Sequence, residues 1–176
     1  MGVTYTLRRS TRARALRMEV RAEGVVVIAP QHTALRVIEN FASRHASWAH
    51  RAQKRFEGRH IIRAHRADIV PAKARARGIA RELCARYGAF FGARAGSITI
   101  RAQKRRWGSC SHRGNLSFNY KIALLPPHLA EYIVVHEMCH LREFNHGKRF
   151  WELVARACPD HRDRRNQLQH TTIVFQ

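Results

Sequence analysis

Residues 124–141 read L-L-P-P-H-L-A-E-Y-I-V-V-H-E-M-C-H-L, and within them 136–140 read H-E-M-C-H. Pro126 and Pro127 mark a break, and a helix is expected from about His128 through His140 and slightly beyond. Ile133, Val134 and Val135 lead into the pentad as a buried-helix signature. A helix advances by about 100° and ~1.5 Å per residue, so His136 and His140, four apart, share one face and can aim imidazole nitrogens at one ion.

Two histidines are half of a tetrahedral site. Zinc suits imidazole donors, and a catalytic zinc takes three protein ligands and leaves one position for water. His146 stands six residues after His140, where Asn145-His146-Gly147 signals a turn able to swing the chain back toward the helix end. It is the expected third ligand. Glu137 lies beside the ligand face, free to activate a zinc-bound water by accepting its proton and to pass that proton to the leaving group. In a chain with 12 His, an H-E-x-x-H pentad can arise by chance on an ordinary helix. The buried approach and the third His argue for the metal.

Three stretches carry a resemblance to a known family: R-R-W-G-S-C-S at 105–111, the 124–141 run, and N-H-G-K-R-F-W at 145–151. Together they resemble the YgjP-like metallopeptidases, the domain of unknown function 45 group, related to the SprT-like and WLM zinc peptidases. The resemblance extends loosely to the amino-terminal strands and the helix after Pro71. It implies an α+β, minimal zincin-like fold with a small amino-terminal antiparallel β unit and an active-site helix. It also implies zinc held by His136, His140 and His146, with Glu137 as general base, the same roles that the spacing gives.

Other residues divide between chemistry and packing. Around Trp107, Gly108 and Ser109 a strand entering a tight turn is placed to cross the site's mouth and offer backbone hydrogen bonds to an extended substrate. Trp107 itself reads first as a large core aromatic. Phe150 and Trp151 follow the third His and are expected to pack on the zinc helix and hold that ligand in place. Cys139 points off the ligand face, and Cys110 reads as a small packing residue. Asn119 is within reach of the site on sequence grounds, whereas Arg105 and Arg106 read as solvated charges.

Outward from the motif, Val3 to Pro30 alternates as strands and predicts a small antiparallel sheet. Thr33 to about Phe56 reads as a long helix broken once, and Gly58 to Val70 as a connection. Ala72 to about Phe91 reads as an amphipathic helix ended by Gly92, and Ser97–Arg101 as a strand. Asn115–Tyr120 and Lys121–Leu125 read as extended. Helices are expected from Lys148 to Ala157 and from Asp160 to Gln169. This gives residues 1–70 as strands, long helix and connection, and 71–176 as the catalytic core, in one continuous domain.

With 33 Lys plus Arg against 12 Asp plus Glu the formal charge is +21, which attracts polyanions. Only five of the 33 are Lys, leaving 28 Arg scattered among Ala, a pattern that coding bias also produces. Four separated cysteines form no C-x-x-C pair, which argues against a thiolate zinc site and for a reduced chain. Val25 to Ala29 is too short to span a bilayer, so a cytoplasmic protein with no membrane partner is expected. The leading function is a zinc metallopeptidase acting on a peptide or protein. A metal-dependent nucleoside triphosphate pyrophosphatase, an activity linked to some members of the resembled family, is one alternative. A nucleic-acid-associated zinc protein, binding nucleic acid or nucleotide through the basic surface, is the other.

Overall fold

β3 (Gly24–Pro30), with sequence GVVVIAP, is the most apolar strand of the amino-terminal sheet and takes its centre. The computed structural model describes residues 2–176, which divide into two compact units, one ending at Arg59 and the other spanning His60–Gln176. In the first, β2 (Arg17–Arg21) forms an antiparallel hairpin with β3, and β1 (Tyr5–Ser10) pairs along the other edge of β3 in parallel. The sheet is therefore mixed, where the sequence suggested antiparallel. A central strand with Val25, Val27, Ile28 and Ala29 all buried needs a neighbour on both sides, and β2 fills only one. Helices α1 (Leu35–Arg44) and α2 (Ala46–Gln53) cover the sheet, burying Ile38, Ala42, Ala46 and Ala49 against Val25, Val27 and Ala29. The break between them is His45, whose backbone leaves helical geometry while its Nδ1 lies 2.8 Å from Phe41 O.

The second unit starts with β4 (His60–Ala64), which pairs in parallel with the last strand, β8 (Thr171–Phe175). The stretch read as a connection thus contains a strand, and the division of the chain falls at Arg59/His60 and not at residue 70. Ile61 and Ile62 supply the β-forming pair, and Thr172 and Ile173 face them across the ladder. After a 3₁₀ turn, α3 (Ile69–Phe91) carries Ala72, Ala76, Ala80, Leu83, Tyr87 and Phe91 as one buried stripe, spaced for a single helix face. Gly92, at φ 57°, closes the helix in the left-handed conformation that favours glycine.

A second three-stranded sheet follows: β5 (Ile98–Arg101), β6 (Gly108–Cys110) and β7 (Leu116–Asn119), in the order β5-β7-β6. Residues 120–124, read as extended, instead form a 3₁₀ helix, because the Asn119 side chain caps it by accepting from Lys121 N. That turn drops Tyr120 and Ile122 into the core. Helix α4 (Pro127–Cys139) has Pro127 in its first turn and stops at His140, short of the extension expected. Leu129, Ile133, Val134, Val135 and Met138 are nearly or fully buried, each contributing about 1.5–3 kcal/mol of apolar burial. Glu131 ties α4 to its neighbours: it pairs with Arg86 of α3, accepts from Tyr87 Oη at 2.7 Å, and meets Arg164 Nη1 of α6 (His161–Gln169) at 2.7 Å. Helix α5 (Lys148–Ala157) completes the unit with the bounds expected. The architecture is α+β.

Candidate metal centre

The last turn of α4 presents His136, and His140 caps the helix at φ −66°, ψ −15°. The chain then turns: Glu143 N donates to Cys139 O at 2.9 Å, and Gly147 N donates to Asn145 O at 2.7 Å. This brings His146 back over the helix end. Its Nε2 faces His136 Nε2 at 3.1 Å, and ring nitrogens of His136, His140 and His146 all lie within 4.8 Å of one another.

The protonation states favour a metal. His140 Nδ1 is 3.1 Å from Glu143 O. A carbonyl can only accept, so Nδ1 carries the proton and Nε2 keeps its lone pair. Burial, with His140 and His146 close by, pushes His136 down to about 3, and burial also lowers His140. Neutral imidazole is the ligating form. His136 Nδ1 is buried with no hydrogen-bond partner. Two nitrogens each ~2.0–2.1 Å from one tetrahedral ion stand about 3.3 Å apart, close to the observed 3.1 Å. The residues fit one metal ion held by three imidazoles.

Phe150 packs against all three rings, with centroids 5.0, 4.6 and 4.6 Å from His136, His140 and His146, and is fully buried. Trp151 lies 5.9 Å from His146 and is itself stacked on His161 at 5.8 Å. These aromatic walls keep the imidazoles from turning away.

Glu137 is buried, and that burial pushes its carboxyl up to about 7. Gly108 lies hard against it: a Cβ there would stand 2.6 Å from Glu137 Cγ and 2.8 Å from Oε1. No side chain fits between β6 and the carboxylate. A cavity of about 330 Å³ opens on this wall, lined by Trp107 and Gly108, by Tyr132, His136 and Glu137 of α4, and by Arg165 of α6.

β6 is an edge strand. Trp107 O accepts from Asn119 N, and Ser111 N donates to Asn115 O. Alternation in the antiparallel ladder therefore turns the N–H and C=O of Trp107, Ser109 and Ser111 toward β7, and those of Gly108 and Cys110 toward the open edge. Ser109, paired with Ser117, does not line the cavity. Trp107 is half-buried, packing on the core and lining the cavity at once. Cys139 is fully buried as packing. Asn119 is buried away from the cavity: its Nδ2 donates to Gln103 O at 2.7 Å and Arg106 O at 2.9 Å, fixing the loop that delivers β6.

Tyr132 was missed by sequence reasoning, although it precedes His136 by four residues and spacing alone puts it on the same face. Arg165 had no such signal, since only the packing of α6 brings it to the cavity.

A family model described as the YgjP-like metallopeptidase domain matches residues 63–171. No curated protein matches the chain. Among solved structures, the crystal structure of the metallopeptidase zymogen of Pyrococcus abyssi abylysin matches with a TM-score of 0.44 and 22% identity, covering 54% of this chain and 99% of that one. No helix among the described residues is long and apolar enough to cross a membrane.

Proposed function

The chain belongs to the YgjP-like metallopeptidase family, and from that premise we propose that it is a zinc peptidase in which His136, His140 and His146 hold the ion and Glu137 is the general base. The observation that carries this reading is the convergence of three imidazole nitrogens within 4.8 Å beside a buried carboxylate.

When bound, zinc supplies Lewis acidity, polarising a carbonyl and acidifying water. Three imidazoles and no thiolate favour zinc among the available ions. The chain's own groups do the rest. Glu137, whose burial makes its carboxylate a stronger base than usual, takes a proton from the attacking water and returns it to the departing amine. A substrate in extended form pairs with the free N–H and C=O groups of Gly108 and Cys110, which sets the scissile bond against Glu137 by strand addition. In this role Trp107 flanks the substrate and Ser109 anchors β6 to β7. Phe150 and Trp151 hold the ligand rings.

The test is metal content measured beside hydrolysis of unfolded proteins, peptides and nucleoside triphosphates, for wild type and Glu137→Gln. The expected result is one zinc per chain in both proteins and peptide cleavage in wild type alone. Cleavage confined to triphosphates would replace this reading with a pyrophosphatase. Zinc without Glu137-dependent turnover would make the ion structural.

A further inference from the structure

Two neighbouring arginines on α6 have opposite circumstances. Arg164 is committed: its guanidinium pairs with Glu131 at 2.7 Å and Asp160 at 2.8 Å. Arg165 has no acidic partner among the described residues. Its guanidinium lies 5.1 Å from the centre of the Trp151 ring, and it lines the cavity beside Glu137. Arg106, delivered by the loop that Asn119 fixes, lines the same cavity and likewise has no acidic partner among the described residues. Tyr132, only 4% exposed, lines the cavity with them, and its hydroxyl has no partner among the described residues.

We infer that this cavity selects a carboxylate on the substrate residue that occupies it, with Arg165 and Arg106 as specificity-determining residues and the Tyr132 hydroxyl as an added donor. The inference rests on the peptidase reading and names its substrate class. Among the described residues Glu137 is the only acid lining the cavity, so a carboxylate entering it has two guanidinium groups and a phenol among the lining residues as possible donors. Guanidinium recognises that group through paired N–H donors. About 330 Å³ suits a side chain, not a folded segment. Both arginines are exposed, so leaving them unpaired costs little and neutral residues are tolerated. A Lys or Arg side chain is repelled. The order is therefore acidic, then neutral, then basic. The +21 formal charge works in the same direction at long range, drawing acidic substrates to the protein.

An Asp or Glu side chain and a free α-carboxylate share this chemistry, and the experiment separates them. The full-length zinc-loaded chain is given peptides carrying Asp or Glu, Ala, or Lys on either side of the cleaved bond, each with a free or an amidated carboxy terminus. Acidic peptides are expected to exceed Ala peptides by about tenfold in kcat/KM at low salt, narrowing as salt rises. A preference that survives amidation identifies a side chain, and one lost on amidation identifies the terminal carboxylate. Arg165→Glu should invert the preference toward Lys, while Arg165→Lys keeps part of it, which excludes misfolding as the cause. Glutarate binding to Glu137→Gln protein, followed by tryptophan fluorescence, should weaken about tenfold in an added Arg165→Ala change. Peptides cleaved without acidic preference, or a preference untouched by Arg165→Glu, overturn the inference alone. If no peptide is cleaved, the peptidase reading falls and takes this inference with it.

Discussion

The chain builds the same three-stranded sheet twice. In β1-β3-β2 and in β5-β7-β6 the first strand runs parallel to the central third strand and the second antiparallel to it. A helical segment follows each. Within its own unit, the later sheet lies against the candidate metal site. The difference is in the second strand, an edge strand in both. β2 reads RMEVR, with Glu19 paired to Arg17 at 3.1 Å and also to Arg21, and charges of this kind blunt an edge against further pairing. β6 reads GSC, uncharged and short, with Gly108 allowing the strand to touch Glu137. Topology is shared, and function resides in the particular side chains.

The largest expected effect is Glu137→Gln, which should lower kcat by about 10²–10⁴ while zinc content is unchanged. The control on the other sheet, Glu19→Gln, should leave kcat and zinc content alone, and a loss of turnover there would break the contrast. Next comes a pair of core truncations. Phe150→Ala and Ile38→Ala should each destabilise by roughly 2–5 kcal/mol in thermal unfolding. Only the first should also weaken zinc binding, by about 10–100-fold in a chelator competition. Equal zinc affinity in both variants would deny Phe150 its part in the site.

Gly108→Ala should cost on the order of 1–3 kcal/mol through overpacking against Glu137 and slow turnover further than it lowers the melting temperature. A variant with full activity would show that β6 has room to spare. The smallest effect concerns pH. In chelator, Glu137 sits at about 7 against an ordinary value of 4.5, so the folded chain keeps a proton that the unfolded chain has released. The stability this confers is fully present below pH 4.5 and is lost as pH rises through 7, by on the order of 1–3 kcal/mol. Glu19, held low chiefly by its hydrogen bond from Arg21, acts in the opposite direction. Denaturant titrations from pH 4 to 8 should show a steeper decline for wild type than for Glu137→Gln, and parallel curves would refute the assignment.

Much of the catalytic unit was legible because its signals are local. The spacing of His136 and His140 depends only on helix geometry, and Asn145-His146-Gly147 announced a turn where the structure has one. α5 followed from its own bounds. What escaped depends on distant partners. Ile61-Ile62 is too short to declare a strand without Thr172-Ile173 opposite. The parallel pairing of β1 follows from β3 needing two neighbours, a property of the assembled sheet. Asn119 looked capable of reaching the site, yet its amide is consumed by Gln103 and Arg106 carbonyls, which no spacing rule foretells. Gly108 did carry a readable signal, since glycine within a strand marks close approach of another group.

The pairing of β4 with β8 also sets a timetable. Ala64 leaves the ribosome 107 residues before Thr171 (171 − 64), so the first strand of the catalytic unit is translated long before its partner exists. Until Thr171–Phe175 is made, Ile61 and Ile62 present an unpaired edge, the kind of surface that invites association with other nascent chains. The histidines and Glu137 are already synthesised by then. A chain interrupted late therefore carries every residue of the candidate metal centre and lacks the strand that pairs with β4.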